Sequence, residues 1–210
     1  MNHKKVQQAL QQIANSEIAE HSQRFFKTGL GGYGEGDKFL GIRVPNIRKV
    51  ARKFKDLSLE ETEKLLQSEF HGERLCALII LSNRSKKTDE GDREKIFELY
   101  LANTKRINNW DLVDTSASHI IGCHLADKDR SLLYKLVQSA SLCERCIAII
   151  STLYFIKNDE FEDTLHIAEL LLDDEHDLIH KATGWMLREV GKRNQDIEEE
   201  FLDTHKQDMP

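Results

Sequence analysis

From one end of this chain to the other, apolar residues recur at intervals of three and four, the spacing that lines one face of an α-helix. VQQALQQIANSEIAEHSQRFF shows it first. SLEETEKLLQSEF, HGERLCALIILSN, GDREKIFELYLAN, NNWDLVDTSASHIIGCHL, DRSLLYKLVQSA, CERCIAIISTLYFIKN, FEDTLHIAELLLDD and DLIHKATGWMLREVGKRN follow in turn. Short polar breaks carrying Asp, Asn, Lys or Gly separate them, and no stretch shows the alternation of a strand. The fold predicted is all-α.

These helices alternate in character. Charged, amphipathic members at 58–69, 91–103, 129–139 and 160–172 precede more apolar or aromatic ones at 72–83, 108–125, 143–157 and 177–193. A period of about 35 residues is the mark of antiparallel helix pairs stacked into an α-solenoid, whose concave face is built from the second helix of each pair. SLEETEKLLQSEF opens with Ser58 and, three residues on, Glu61, a capping-box pattern. HGERLCALIILSN is too apolar for a surface helix and is expected to be buried. With 2 prolines and no linker-like tract in 210 residues, one continuous domain over 1–210 is expected. A solenoid buries its own core, so the expected state is a monomer.

No apolar run approaches the roughly 18 residues of a membrane span, and the polar N-terminus lacks the apolar core of a signal peptide. The expected location is the cytoplasm, where the 4 cysteines are thiols. The net charge of −6 is unevenly spread. Residues 1–105 hold 19 Lys/Arg against 15 Asp/Glu (+4), and residues 106–210 hold 11 against 21 (−10). RVPNIRKVARKFK, Arg43 to Lys55, has six cations and no anion. Such a stretch is either a solvated helix face or a patch for a polyanion.

One segment interrupts the helices. KTGLGGYGEGDKFLGIRVP holds six of the 11 glycines, with Tyr33 and Phe39, and ends at Pro45. It is a long surface loop or a ligand-contacting one. It is not a phosphate-cradling loop, because no strand precedes it and no GK[ST] follows.

NNWDLVD carries the most chemistry. Trp110 and Asp114 lie four apart and project from one helix face. Asp111 points elsewhere and fits a charge at a helix N-terminus. In HKATGWMLREV, Gly184 precedes Trp185, and Arg188 lies three residues on along the same face. Both tryptophans fall on second helices, so both can reach one concave groove. Aromatic faces and a carboxylate suit a flat, cationic, phosphate-bearing ligand. Other constellations are weak. His176 and His180 share HxxxH spacing without the zinc-protease glutamate, and Cys143 and Cys146 form a lone C-x-x-C with no second pair. Neither a metal nor a cofactor is called for, and Cys76 and Cys123 read as small core fillers.

GEGDKFLGIRVPNIRKVARKF, NNWDLVDTSA, STLYFIKN and IHKATGWMLREVGKR, in that order, resemble the HEAT-like-repeat DNA glycosylases of the AlkD-like, alkylpurine-removing type. The resemblance implies a right-handed HEAT-like/ARM-type solenoid cupping duplex DNA that contains alkylated bases. It also implies hydrolysis of the N-glycosidic bond of N3- and N7-alkylated purines without base flipping. On it, Asp114 is the catalytic carboxylate, and Trp110 and Trp185 flank the lesion nucleotide. Arg188 sits in the GWxLRE motif as a phosphate contact. Arg145, with Arg43, Arg48 and Lys49 of the basic stretch and Tyr33 of the glycine-rich segment, completes the candidate DNA contacts.

Two departures stand out. Where that family reads Trp-x-Arg-Arg, this chain reads CERC: Cys143 takes the tryptophan position, and Cys146 the position of the arginine that joins the catalytic set. Relatives also continue past the Met209-Pro210 position with a further basic helix. Losing that arginine weakens the hold on the lesion. Two alternatives therefore stand beside the enzyme: a non-catalytic module binding damaged or branched DNA, and a protein-interaction scaffold, which the −10 of the second half favours.

Overall fold

The three-and-four spacing is realised as helices throughout. The computed structural model describes residues 1–207, so the Met-Pro at 209–210 lies outside the described residues. Among the described residues there is no strand, only an isolated bridge between Lys38 and Phe70. Nor is any helix among those residues long and apolar enough to cross a membrane. The chain packs as two compact units, Met1–Ser116 and a second that begins at Ala117.

The first unit holds α1 (His3–Gln11), α2 (Ser16–Phe25), α3 (Val44–Lys53), α4 (Leu59–Leu66), α5 (His71–Ser85), α6 (Glu90–Ala102) and nearly all of α7 (Trp110–Ala117). The N-terminal periodic stretch is two helices rather than one. It breaks before Asn15, whose side chain accepts from the Ile18 N–H and caps α2. Ser58 caps α4 by accepting from the Glu61 N–H at 3.3 Å. Glu61 does not return the bond of a capping box; it is taken by His3 and Lys64.

Helix α5 is the centre of this unit, packed against α3, α4 and α6. Its burial is as its composition predicts, with Leu75, Cys76, Leu78, Ile79, Ile80 and Leu81 all inside. Buried with them, however, is Arg74, 2% exposed. Its guanidinium meets the Asp37 carboxylate at 2.6 Å and also donates to Asn108 Oδ1 and to the Ser68 and Glu69 carbonyls. Burial pulls this guanidinium below its usual pKa, while Asp37 pushes it back up. Asn108 and Asn109 donate to the same aspartate from the turn before α7. One buried ion pair therefore ties the glycine-rich segment (Asp37), α5 and the start of α7 together.

Two glycines let that segment lie so close. A Cβ on Gly34 would sit 2.5 Å from the Phe26 carbonyl oxygen and 3.0 Å from Asn109 Nδ2. Gly41, at φ +68°, passes so near α2 that a Cβ would lie 1.9 Å from the Asn15 oxygen.

In the second unit the α7 helix runs on through a π-helical turn, Ser118–Gly122. It is followed by α8 (Ser131–Val137), α9 (Leu142–Ser151), α10 (Leu153–Ile156), α11 (Glu162–Leu170), α12 (Asp177–Gly191) and α13 (Gln195–His205). The apolar stretch after Cys143 breaks at Thr152 between α9 and α10. Ile147, Ile149, Ile150, Phe155, Ile167, Ile179 and Met186 form its core. Arg130 lies 3.8 Å from the Phe155 ring centroid and pairs with Glu160 and Asp163.

Removing one partner of a buried pair strands the other charge. Asp37→Ala is therefore expected to cost about 3–5 kcal/mol in urea denaturation. The double replacement Arg74→Met with Asp37→Asn, which leaves no lone charge, is expected to lose less than that single change. A single-variant loss below about 1 kcal/mol would contradict this role for the pair.

Candidate active site

The first turn of α7 is held from several sides. Asn109 Oδ1 accepts from the Trp110 N–H at 2.9 Å. Phe26 stacks on the Trp110 ring at 5.5 Å between centroids, and the exposed Phe25 meets it edge-on at 6.1 Å. Phe26 stacks in turn on Phe39, and Phe39 on His71 at 4.7 Å. The aromatic resources of α2 and of the glycine-rich segment thus converge where α5 and α7 begin. Trp110 remains half-buried, with part of its π surface taken by Phe26.

Asp111 does more than the sequence suggests. It sits in the first turn of α7, as a charge paired with the helix dipole would. It also accepts from His71 Nε2 at 2.8 Å, with His71 only 3% exposed. A carboxylate has no proton to give, so the imidazole N–H is the donor. A small cavity of about 50 Å³ adjoins this pair, lined in part by Phe26, Phe39, Val44, Ile47, His71 and Asp111.

Asp114 lies one turn further on. It is half-buried, and no hydrogen bond from the described residues reaches its carboxylate. Burial pushes its pKa up to about 7, and the negative charge of Asp111 adds to the rise. Most buried carboxylates find donors. One that lacks them, with its pKa raised toward neutrality and Trp110 one helical turn before it, has the character of a functional group.

The other candidates fall in varied settings. Tyr33 is half-buried, with Lys27 Nζ at 5.8 Å from its ring. Arg43 is exposed at the N-cap of α3, and Arg48 and Lys49 are exposed midway along it. In the second unit Trp185 is half-buried on α12 and donates its indole N–H to Glu189 at 3.1 Å, and Arg188 is exposed. Arg145 is not held out to solvent. It pairs with Asp174 at 2.6 Å and donates to the Ser139 and Ala140 carbonyls. Cys146 is 5% exposed, so its side chain packs inside the second unit rather than lining an open face.

Among the described residues no cysteine is in a disulfide, and no group of three His, Cys, Asp or Glu is placed to hold a metal. Burial pushes the Cys76 thiol up to about 12, which disqualifies it as a nucleophile. His176 caps α12, and His180 meets the Asp174 carbonyl. Sequence reasoning missed His71, Phe25 and Phe26. The two phenylalanines sit at the end of a helix that reads as amphipathic, and the histidine meets Asp111 only through tertiary packing.

An aspartate in the unfolded chain ionises near pH 4, whereas Asp114 in the fold is held at about 7. Its protonated form is thus favoured by the fold, and stability falls as pH rises from about 4 to about 7. Asp114→Asn removes that penalty. Its Tm is expected to exceed that of the wild type at pH 8 by about 5 °C and to match it near pH 4. An equal or lower Tm at pH 8 would contradict the raised pKa.

The fold has a counterpart among solved structures. A solved structure described as a predicted DNA alkylation repair enzyme from Enterococcus faecalis superposes with a TM-score of 0.67, covering 91% of this chain and 89% of that one at 16% identity. No curated protein matches. The family model for the DNA alkylation repair enzyme matches residues 6–210. The chain belongs to the DNA alkylation repair enzyme family.

Proposed function

We propose that this protein is a DNA glycosylase that removes cationic N3- and N7-alkylated purines from duplex DNA without base flipping. The observation that carries the proposal is Asp114: a half-buried carboxylate without a hydrogen-bond donor among the described residues, one helical turn from Trp110 and with its pKa raised to about 7. On this reading each unit is built of stacked HEAT-like helix pairs, the repeat of a right-handed solenoid. The short turns between α4 and α5 and between α8 and α9, and the packing within each pair, support it.

The chemistry follows from charge. An alkylated purine is already a cation, so breaking its bond to C1′ releases a neutral base and leaves the positive charge on the sugar. Ionised Asp114 stabilises that oxocarbenium-like centre, and it orients the water that adds to C1′ and takes up its proton. Trp110, one helical turn before the carboxylate, offers an aromatic surface to the cationic base, and Trp185 of the second unit presents an aromatic face suited to the same kind of ligand. Glu189 fixes the Trp185 ring through its indole N–H, and exposed Arg188 is suited to a backbone phosphate.

One observation favours a second reading, a non-catalytic module that binds damaged duplex. Cys146 is buried, and Arg145 is committed to Asp174, so neither residue offers a guanidinium to a flanking phosphate.

The assay is release of 7-methylguanine or 3-methyladenine from methylated duplex DNA. Wild type is expected to release base, with a rate that rises with pH through about 7 as Asp114 ionises. Asp114→Asn is expected to lose at least about 100-fold, the scale of removing one electrostatic stabiliser. Binding of the duplex without release by the wild type would replace the glycosylase with the module.

A further inference from the structure

The candidate site leaves a second feature of the first unit without a role. Helix α3 begins beside the site, where Val44 and Ile47 line the cavity at His71 and Asp111. It then runs away from it along α5. Between the exposed side of α3 and the C-terminal half of α5 lie two recesses of about 360 and 610 Å³. They share Arg52 and Asn83 in their walls and so form one trough. Arg48 and Lys49 line its near end, and Lys55 and Lys87 its far end.

The charges of this trough are unspent. No carboxylate among the described residues pairs with Arg48, Lys49, Arg52 or Lys87. Lys55 is only loosely met by exposed Asp56 at 3.8 Å. Arg84, the one other guanidinium in the wall, is held by Asp92 and frames the trough rather than serving a ligand. Arg48 and Arg52 lie at i and i+4 on one face of α3, and Lys55 follows in the turn just beyond its end. Four residues of helix span about 6 Å, and a duplex carries one phosphate per about 1.7 Å of its axis. A row of that length, extended by Lys55, faces several phosphates. The apolar floor, Ile79 and Ile80, lies deep and almost wholly covered, so what the trough presents to a ligand is mainly cationic and amide, with the Asp56 carboxylate and the Thr88 hydroxyl at the far end.

We propose that this trough is a phosphate track that grips the DNA backbone beyond the lesion, with Arg52, Lys55 and Lys87 as contacts additional to Arg48 and Lys49. It rests on the reading that the protein acts on duplex DNA. It supplies affinity and register without base readout, and it is separate from the residues that carry the bond-breaking chemistry.

The test is fluorescence anisotropy on an unmodified duplex between 50 and 200 mM salt, beside single-turnover base release at saturating protein. Arg52→Ala/Lys55→Ala/Lys87→Ala is expected to bind about 10-fold or more weakly at 50 mM, with a salt slope shallower by about 2–3. Arg52→Lys/Lys55→Arg/Lys87→Arg is expected to restore both, and the release rate to stay unchanged. An unchanged slope in the alanine variant, a charge-retaining variant as weak as it, or a wild type that does not bind at 50 mM would overturn the track. If base is released but the slope does not move, the track falls alone. A lowered slope with no release by either protein leaves the track standing and removes the glycosylase.

Discussion

A guanidinium buried beyond the reach of water has to find its charge and its acceptors inside the protein, and Arg74 finds them on three separate pieces of chain. Asp37 comes from the glycine-rich segment, the Ser68 and Glu69 carbonyls from the turn before α5, and Asn108 from the turn before α7. Each of these pieces alone is a loop with few apolar side chains to anchor it. Joined at Arg74 they become one surface, because a displaced loop would strand a charge at a cost of several kcal/mol. The start of α7, with Trp110, Asp111 and Asp114, is set by that constraint.

On this frame the site departs from the rule that buried polar groups are satisfied. Asp37 receives Arg74 and two asparagine amides, and Asp111 receives His71. Asp114 receives none from the described residues, and it feels the charge of Asp111 as well. The fold thus spends its donors on the carboxylates that hold the structure and leaves one carboxylate under-solvated. A cation forming next to that group gains more from it than from a carboxylate already neutralised by donors. The aromatic run Phe39–Phe26–Trp110 packs at the first turn of the same helix.

Much of this could be read from the residues alone, and the limits of that reading are physical. Local periodicity gave the pairs around α4–α5, α6–α7, α8–α9 and α11–α12, because each has apolar residues enough to define a face. Helix α13 escaped it, with Ile197 and Phe201 nearly alone among acidic residues, although Asn194 caps it. The breaks before Asn15 and at Thr152 and the π turn at Ser118–Gly122 escaped it too, since the apolar pattern runs through all three. In the site, the four-residue spacing of Trp110 and Asp114 was visible as one helix face. The bond from His71 to Asp111 and the pairing of Arg74 with Asp37 join residues 40 and 37 positions apart, which no local pattern records. The resemblance puts Cys146 at the position of an arginine of the catalytic set, whereas in α9 it is buried.

The central claim is that the Arg74–Asp37 pair builds the desolvated corner in which Asp114 works. The direct measurement is the titration of the Asp114 side-chain carboxyl by carbon-13 NMR, in the wild type and in the double variant Arg74→Met/Asp37→Asn. The account predicts a midpoint near 7 in the wild type and a clear fall toward the ordinary aspartate range in the double variant, as the loop loosens and water enters. An ordinary midpoint in the wild type, or the same raised midpoint in both proteins, would contradict it.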